Sequence, residues 1–141
     1  MMQGQQELSR GGSTQPYGIL VFDESEFSRR QVVGFLSELG HDVIYEASNS
    51  KQASEVMSSM EVNIIILDIL MKDSNGIEFI KKLQEQLGEK FFIILSSFRS
   101  QRIIVETLKS GIVDFLFKPL KKELFIQSIL KVKARIDKRR S

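Results

Sequence analysis

Five polar residues stand where apolar runs stop. Asp23 and Glu24 follow YGILVF (17–22), and Asp68 lies near the end of VNIIILDI (62–69). Ser96 follows FFIIL (91–95), and Lys118 follows IVDFLF (112–117). Three carboxylates, a hydroxyl and an ammonium form a chemical set only if folding brings them together. Carboxylates held close repel one another and raise one another's pKa values, so something must offset the repulsion. A hard divalent cation does this, and Mg²⁺ binds through one or two carboxylates plus waters and phosphate oxygens. A carboxylate beside such an ion can attack a phosphoryl group and carry it as an aspartyl phosphate. Transfer of that kind depends on positioning and on neutralising the equatorial oxygens. The ion, the hydroxyl and the ammonium can each take one of those oxygens. Lysine suits the task as a compact charge with three donors.

The elements that must position these groups alternate regularly. YGILVF reads as a buried strand. Glu26–Leu39 reads as a helix, with Phe27, Val32, Val33, Phe35, Leu36 and Leu39 near helical spacing and Gly40 at the stop position. DVIYEA (42–47) is a second strand, and Ser50–Met60 a second helix with Ala53, Val56, Met57 and Met60 on one stripe. VNIIILDI is the strongest strand signal. Asn75 and Glu78 have capping-box spacing and open a third helix, with Ile77, Phe79, Ile80 and Leu83 as its apolar face. FFIIL is a fourth strand, followed by a helix over Ser100–Ser110 that Gly111 ends. IVDFLF is a fifth strand closed by Lys118-Pro119, and Leu120–Ile136 is the last helix. Five β-α units with near-continuous apolar strands predict an α/β fold: a doubly wound parallel sheet with helices on both faces. Ligands of such sheets sit at the carboxyl ends of the strands, near the topological switch point. The five polar residues fall at those ends.

The 141 residues suit one domain. We expect a flexible leader over 1–15, a globular domain over 16–136 and a basic tail over 137–141. The absence of cysteine excludes disulfides, thiolate zinc sites, iron–sulfur clusters and a cysteine nucleophile. The single histidine, His41, excludes poly-histidine metal sites and argues against a Ser-His-Asp triad. Apolar runs fall far short of the ~20 residues that span a bilayer. The first fifteen residues lack the apolar stretch of a signal peptide, so a cytoplasmic protein with no membrane contact is expected. Residues 118–141 carry nine basic and two acidic residues, against eleven and sixteen in the remainder. No base-reading motif or interleaved aromatics accompany those charges, so direct nucleic-acid binding by this domain is not expected.

At these strand ends the sequence resembles the CheY-like receiver domain of bacterial two-component response regulators. The likeness runs from Tyr17 to about Arg135 through ILVFDES (19–25), IIILDILMKDSNG (64–76), IILSS (93–97) and DFLFKP (114–119). It implies a flavodoxin-like sheet of order 2-1-3-4-5 and phosphorylation by a sensor histidine kinase or a histidine phosphotransfer protein. It implies that Asp68 is the phosphoacceptor, that Asp23 and Glu24 are the acidic pair, and that the Leu70 backbone carbonyl completes a Mg²⁺ shell. Ser96 matches the switch hydroxyl, Lys118 the family's lysine and Phe115 the switch aromatic. Ser97 matches a small position that admits the phosphoryl group. On phosphorylation Ser96 is expected to move towards the phosphoryl group while Phe115 fills the space vacated inward. The surface of the fourth predicted helix, fifth strand and last helix would then change towards an output domain or effector protein. The same surface could carry a homodimer.

Two residues depart from the family pattern. Glu24 stands where aspartate is usual, and Lys72 where proline is usual. Leu70 and Phe98, each two residues beyond a site residue, are apolar and cannot orient water, so slow self-dephosphorylation is expected. Rival readings stay open. The chain could be a receiver-like interaction module without phosphotransfer. A haloacid-dehalogenase-like phosphatase is disfavoured, because Ser25 stands where that family's second aspartate falls and no acidic pair follows Lys118. An FMN protein is disfavoured by the acidic loop DESEFS (23–28), which would repel a flavin phosphate.

Overall fold

The computed structural model describes residues 17–40, 43–71, 75–86, 90–99 and 111–140. The expected leader, His41, Lys72 and the helix over 100–110 lie outside the described residues. Five strands form one parallel sheet: β1 (Gly18–Phe22), β2 (Val43–Ala47), β3 (Ile64–Asp68), β4 (Phe91–Ser96) and β5 (Ile112–Phe117), in spatial order β2-β1-β3-β4-β5. The described helices are α1 (Glu26–Leu39), α2 (Ser50–Ser59), α3 (Gly76–Gln86) and α4 (Lys122–Arg140). The doubly wound α/β architecture and its strand order are those the sequence implied.

Alternation along the strands builds two cores. Leu20, Phe22, Ile65, Leu67, Phe92 and Ile94 face α2 and α3, meeting Ala53, Met57, Phe79, Ile80 and Leu83. Ile19, Val21, Ile64, Ile66, Ile93 and Leu95 face the other way, onto Val32 and Leu36 of α1 and Phe125, Ile129, Val132 and Ile136 of α4. Successive side chains of a strand point to opposite faces, so a strand covered on both sides must be apolar throughout. Every residue of β1 and β3 is buried.

The helix starts use the caps their sequences offer. Ser25 Oγ accepts from the Ser28 N–H and Asn49 Oδ1 from the Gln52 N–H. Asn75 Oδ1 accepts from the N–H groups of Ile77 and Glu78, which is one half of the expected capping box. Gly40 ends α1 at φ 70°, a backbone region that favours glycine.

Three expectations are corrected. Phe27 is 79 % exposed rather than part of the apolar face of α1. At 3.6 residues per turn it lies about 180° around the helix from Leu36. Met60 is half-exposed and caps α2 rather than completing its stripe. The last helix begins at Lys122, after a cis Lys118–Pro119 bond, and runs on to Arg140 instead of spanning Leu120–Ile136. Its final turns are tied back to the domain. The Tyr17 hydroxyl donates to Asp137 Oδ1 at 2.5 Å, and Lys133 and Arg140 lie over the Tyr17 ring.

Candidate phosphoryl-acceptor site at the carboxyl edge of the sheet

Strand register assembles the site. Phe22 pairs with Leu67, which places Asp23 beside Asp68 at the ends of β1 and β3. Asp68 pairs with Leu95, so Ser96 lies one step further along β4. Ser96 pairs with Phe117, and the Lys118 N–H donates to the Ser96 carbonyl at 2.8 Å. β1 is flanked by β2 on one side and β3 on the other, so the chain leaves it in opposite directions at the switch point.

Lys118 ties the edge together. Its ammonium donates to Asp23 Oδ2 at 2.7 Å and to Asp68 Oδ2. The remaining carboxylate oxygens take backbone donors from the loops that follow. Ser25 N–H donates to Asp23 Oδ1 at 2.9 Å, and Leu70 N–H donates to Asp68 Oδ1 at 2.8 Å. Asp23 and Asp68 are both buried. Burial pushes the Asp68 carboxyl above its ordinary value; the Lys118 hydrogen bond and the Leu70 amide pull it down without cancelling the effect. Burial works against the charge on Lys118, but the hydrogen bonds it donates to Asp23 and Asp68 outweigh it and hold the ammonium's pKa above the usual lysine range.

The expected residues are thus gathered unequally. Asp23, Asp68 and Lys118 meet directly. Ser96 is fully buried at the next strand end, and its hydroxyl donates to the Phe98 carbonyl at 3.1 Å while accepting from the Phe98 N–H at 2.9 Å. Ser97 and Phe98 follow on the surface. Leu70 lies half-exposed beyond Asp68. Asp23 and Asp68 converge on Lys118; among the described residues there is no ready-made cluster of three acidic or histidine side chains, so a cation here would draw on waters and backbone oxygen besides carboxylates. Lys118 offsets only one of the two carboxylate charges, which leaves the strand ends attractive to a cation. Phe115 is buried against the α2/α3 core, its ring edge-on to Phe117 at 5.2 Å.

The donor chemistry fits a hard divalent cation. Asp23, Glu24, Asp68 and the Leu70 carbonyl offer oxygen alone, and two of the carboxylates already converge on a single positive charge.

Sequence reasoning passed over two residues that shape this edge. Gly76, the last residue of the 64–76 segment, is buried: a Cβ there would stand 2.2 Å from the Ile69 carbonyl. Its glycine after the IIILDILMKDSN segment was the available signal. Arg29 donates to the Asp23 carbonyl at 2.8 Å, and nothing in its helical position marks it out from Arg30 beside it.

Comparison with known proteins agrees with this geometry. The family model described as the response regulator receiver domain matches residues 19–130. The chemotaxis protein CheY of Thermotoga maritima is 28 % identical over 114 residues, covering 81 % of this chain and 95 % of the relative. The transcriptional regulatory protein LnrK of Bacillus subtilis is 28 % identical over 117 residues, 81 % of this chain but 52 % of the relative. Among solved structures, a CheY-like response regulator receiver domain protein from Methanospirillum hungatei superposes with a TM-score of 0.79 at 18 % identity, covering 89 % of this chain and 99 % of that one.

Proposed function

The chain belongs to the response regulator receiver family of two-component signalling, and from that premise we propose that Asp68 is its phosphoacceptor. The observation that carries this is the bridging of Asp68 and Asp23 by Lys118 at the carboxyl edge of the sheet. The donor is a phosphohistidine of a sensor kinase or a histidine phosphotransfer protein. An Asp68 carboxylate oxygen attacks the phosphorus, the phosphorus–nitrogen bond breaks, and the leaving imidazole keeps the electron pair and takes up a proton. Lys118 holds one equatorial oxygen of the transferring group and Ser96 another. Asp23, Asp68 and the Leu70 carbonyl would hold Mg²⁺, with Glu24 joining directly or through a water, and the ion would supply charge neutralisation at the phosphoryl oxygens.

Phosphorylation shifts a population rather than building a new fold. Ser96 gives up its hydrogen bonds with the Phe98 backbone to reach the phosphoryl group. Phe115 then moves into the space that Ser96 vacates while segment 96–99 resettles. The surface around β5 and α4 then changes for an output domain or effector protein, and it is also where a homodimer would form. The domain is a phosphoacceptor rather than a turnover enzyme, and it works in the cytoplasm. Among the described residues no helix is long and apolar enough to cross a membrane.

The test is incubation with acetyl phosphate and Mg²⁺, read by intact mass. Wild type gains one phosphoryl group, and Asp68→Asn gains none. Equal labelling of the two proteins would place the acceptor elsewhere. Failure of both to label would favour an interaction module without phosphotransfer.

A further inference from the structure

Arg29 lies in the second turn of α1 and is only 16 % exposed. Its Nη1 donates to the backbone carbonyl of Asp23 at 2.8 Å, and its Nε donates to Glu46 Oε1 at 3.0 Å. Asp23 is thereby held at four atoms. Its N–H donates to the Ala47 carbonyl at 3.1 Å, its two carboxylate oxygens accept from Ser25 N–H and Lys118, and its carbonyl accepts from Arg29. The first three contacts fix the residue itself. The fourth acts on what comes next, because the Asp23 carbonyl belongs to the planar peptide that leads into Glu24. Fixing that plane fixes the direction in which the Glu24 Cα leaves the strand.

The guanidinium is suited to this. Its donors are held in one rigid plane, so docking Nε on Glu46 aims Nη1 at the loop. Glu46 stands next to the last residue of β2, and the pair therefore ties the ends of two neighbouring strands. Glutamate at 24 makes the anchor more consequential. Its extra methylene adds a rotor, and the longer side chain has more conformers to lose when it is positioned.

We propose that Arg29 is the positioning residue of the acidic loop: it orients the Asp23–Glu24 peptide so that the two acids face a common divalent cation, with Glu46 setting the arginine. The inference rests on the phosphoacceptor reading above.

Four proteins test it: wild type, Arg29→Gln, Arg29→Lys and Glu46→Gln. Mg²⁺ is titrated while the Glu24, Ser25 and Leu70 amides are followed by NMR. Labelling by acetyl phosphate is measured against Mg²⁺ concentration, with thermal midpoints alongside. In Arg29→Gln the Glu24 and Ser25 amides shift before any metal is added. Its Mg²⁺ dissociation constant rises about tenfold, as losses behind a metal site commonly do. The Mg²⁺ concentration for half-maximal labelling rises by the same factor, while the rate at saturating Mg²⁺ stays within about twofold. Arg29→Lys recovers part of the affinity, and Glu46→Gln loses less than Arg29→Gln. A purely structural arginine predicts otherwise: a lower thermal midpoint and saturated rate at unchanged Mg²⁺ affinity, and that pattern overturns the proposal. Should Arg29→Gln not fold, Arg29→Lys and Glu46→Gln decide it, and wild-type affinity in both overturns it. A wild type that takes no label overturns the phosphoacceptor reading instead; unmoved Glu24 and Ser25 amides in metal-free Arg29→Gln then overturn the positioning role as well.

Discussion

The ammonium of Lys118 stands 2.7 Å from Asp23 Oδ2, across 95 residues of sequence, and the same nitrogen takes Oδ2 of Asp68. One cation therefore serves two buried carboxylates from adjacent strands. A dication would compete for the same oxygens. Lys118→Ala removes the competitor and leaves the carboxylates unpaired, a change that costs about 3 kcal/mol at buried sites. The metal-free thermal midpoint should fall, and Mg²⁺ should bind roughly tenfold more tightly, since about 1.4 kcal/mol of relieved competition suffices. A thermal scan checks the first and calorimetric titration the second. Mg²⁺ affinity no better than wild type would mean that lysine and metal do not share these oxygens.

Burial raises the Asp68 carboxyl above its ordinary 3.8. The folded protein therefore binds a proton there that the unfolded chain has already lost. Stability contributed by the protonated carboxyl is complete below pH 3.8 and is lost as pH rises through the raised folded value. Asp68→Asn cannot ionise and escapes that loss. Its thermal midpoint at pH 7 should exceed that of wild type. The pH dependence of the midpoint should also flatten between pH 3.8 and the raised folded value, where wild type holds the extra proton. A variant less stable than wild type at pH 7 would show that the pairing with Lys118 outweighs desolvation.

Leu70 and Phe98 are both about half-exposed, on the loops just beyond Asp68 and Ser96. Neither side chain can hydrogen-bond a water that attacks the phosphoryl group. Leu70→Asn supplies an amide there, and positioned polar groups commonly gain 10²-fold or more in such steps. We expect loss of the phosphoryl label to accelerate by about tenfold, a modest share of that range because the asparagine is not held by a partner. Mass spectrometry of labelled protein against time reads the rate, and an unchanged lifetime would count against a role for this position.

Gly76 lets the start of α3 close on the end of β3. A Cβ at this position would lie 2.2 Å from the Ile69 oxygen and 2.9 Å from the Ile69 Cα, so backbone must move. Gly76→Ala should cost about 1–3 kcal/mol, the usual range for overpacking. Because Ile69 follows Asp68 directly, the Leu70 amide that bonds Asp68 should shift as well. Denaturant unfolding and amide spectra measure the two effects. A variant of wild-type stability would mean the loop has slack that the structure does not suggest.

The elements were legible because their causes are local. The apolar runs of β1, β3 and β4, the Asn75 cap and the Gly40 stop each depend on a few neighbouring residues. The same holds for the polar residues at strand ends: a run of buried strand positions stops where a side chain prefers water or a ligand. Phe27 shows the limit of local pattern, because apolarity suggested a core position that helical rotation denies it. α4 shows another limit. Its last turns carry Lys138, Arg139 and Arg140, which read as tail, yet Tyr17 anchors Asp137 from the far end of the chain.

Sequence alone determined the order of the β-α units, the apolar faces and the candidate acids, hydroxyl and lysine, since periodicity and side-chain type settle these residue by residue. Only the tertiary structure decided that Lys118 bridges Asp23 and Asp68, that Phe115 is buried, and that Arg29 grips the Asp23 carbonyl. The Lys118 bridge depends on register between strands tens of residues apart, and the Arg29 contact on how α1 turns back over the end of β1. A shift of one residue in the β1–β3, β3–β4 or β4–β5 pairing would carry a side chain to the opposite face and separate Lys118 from the two acids.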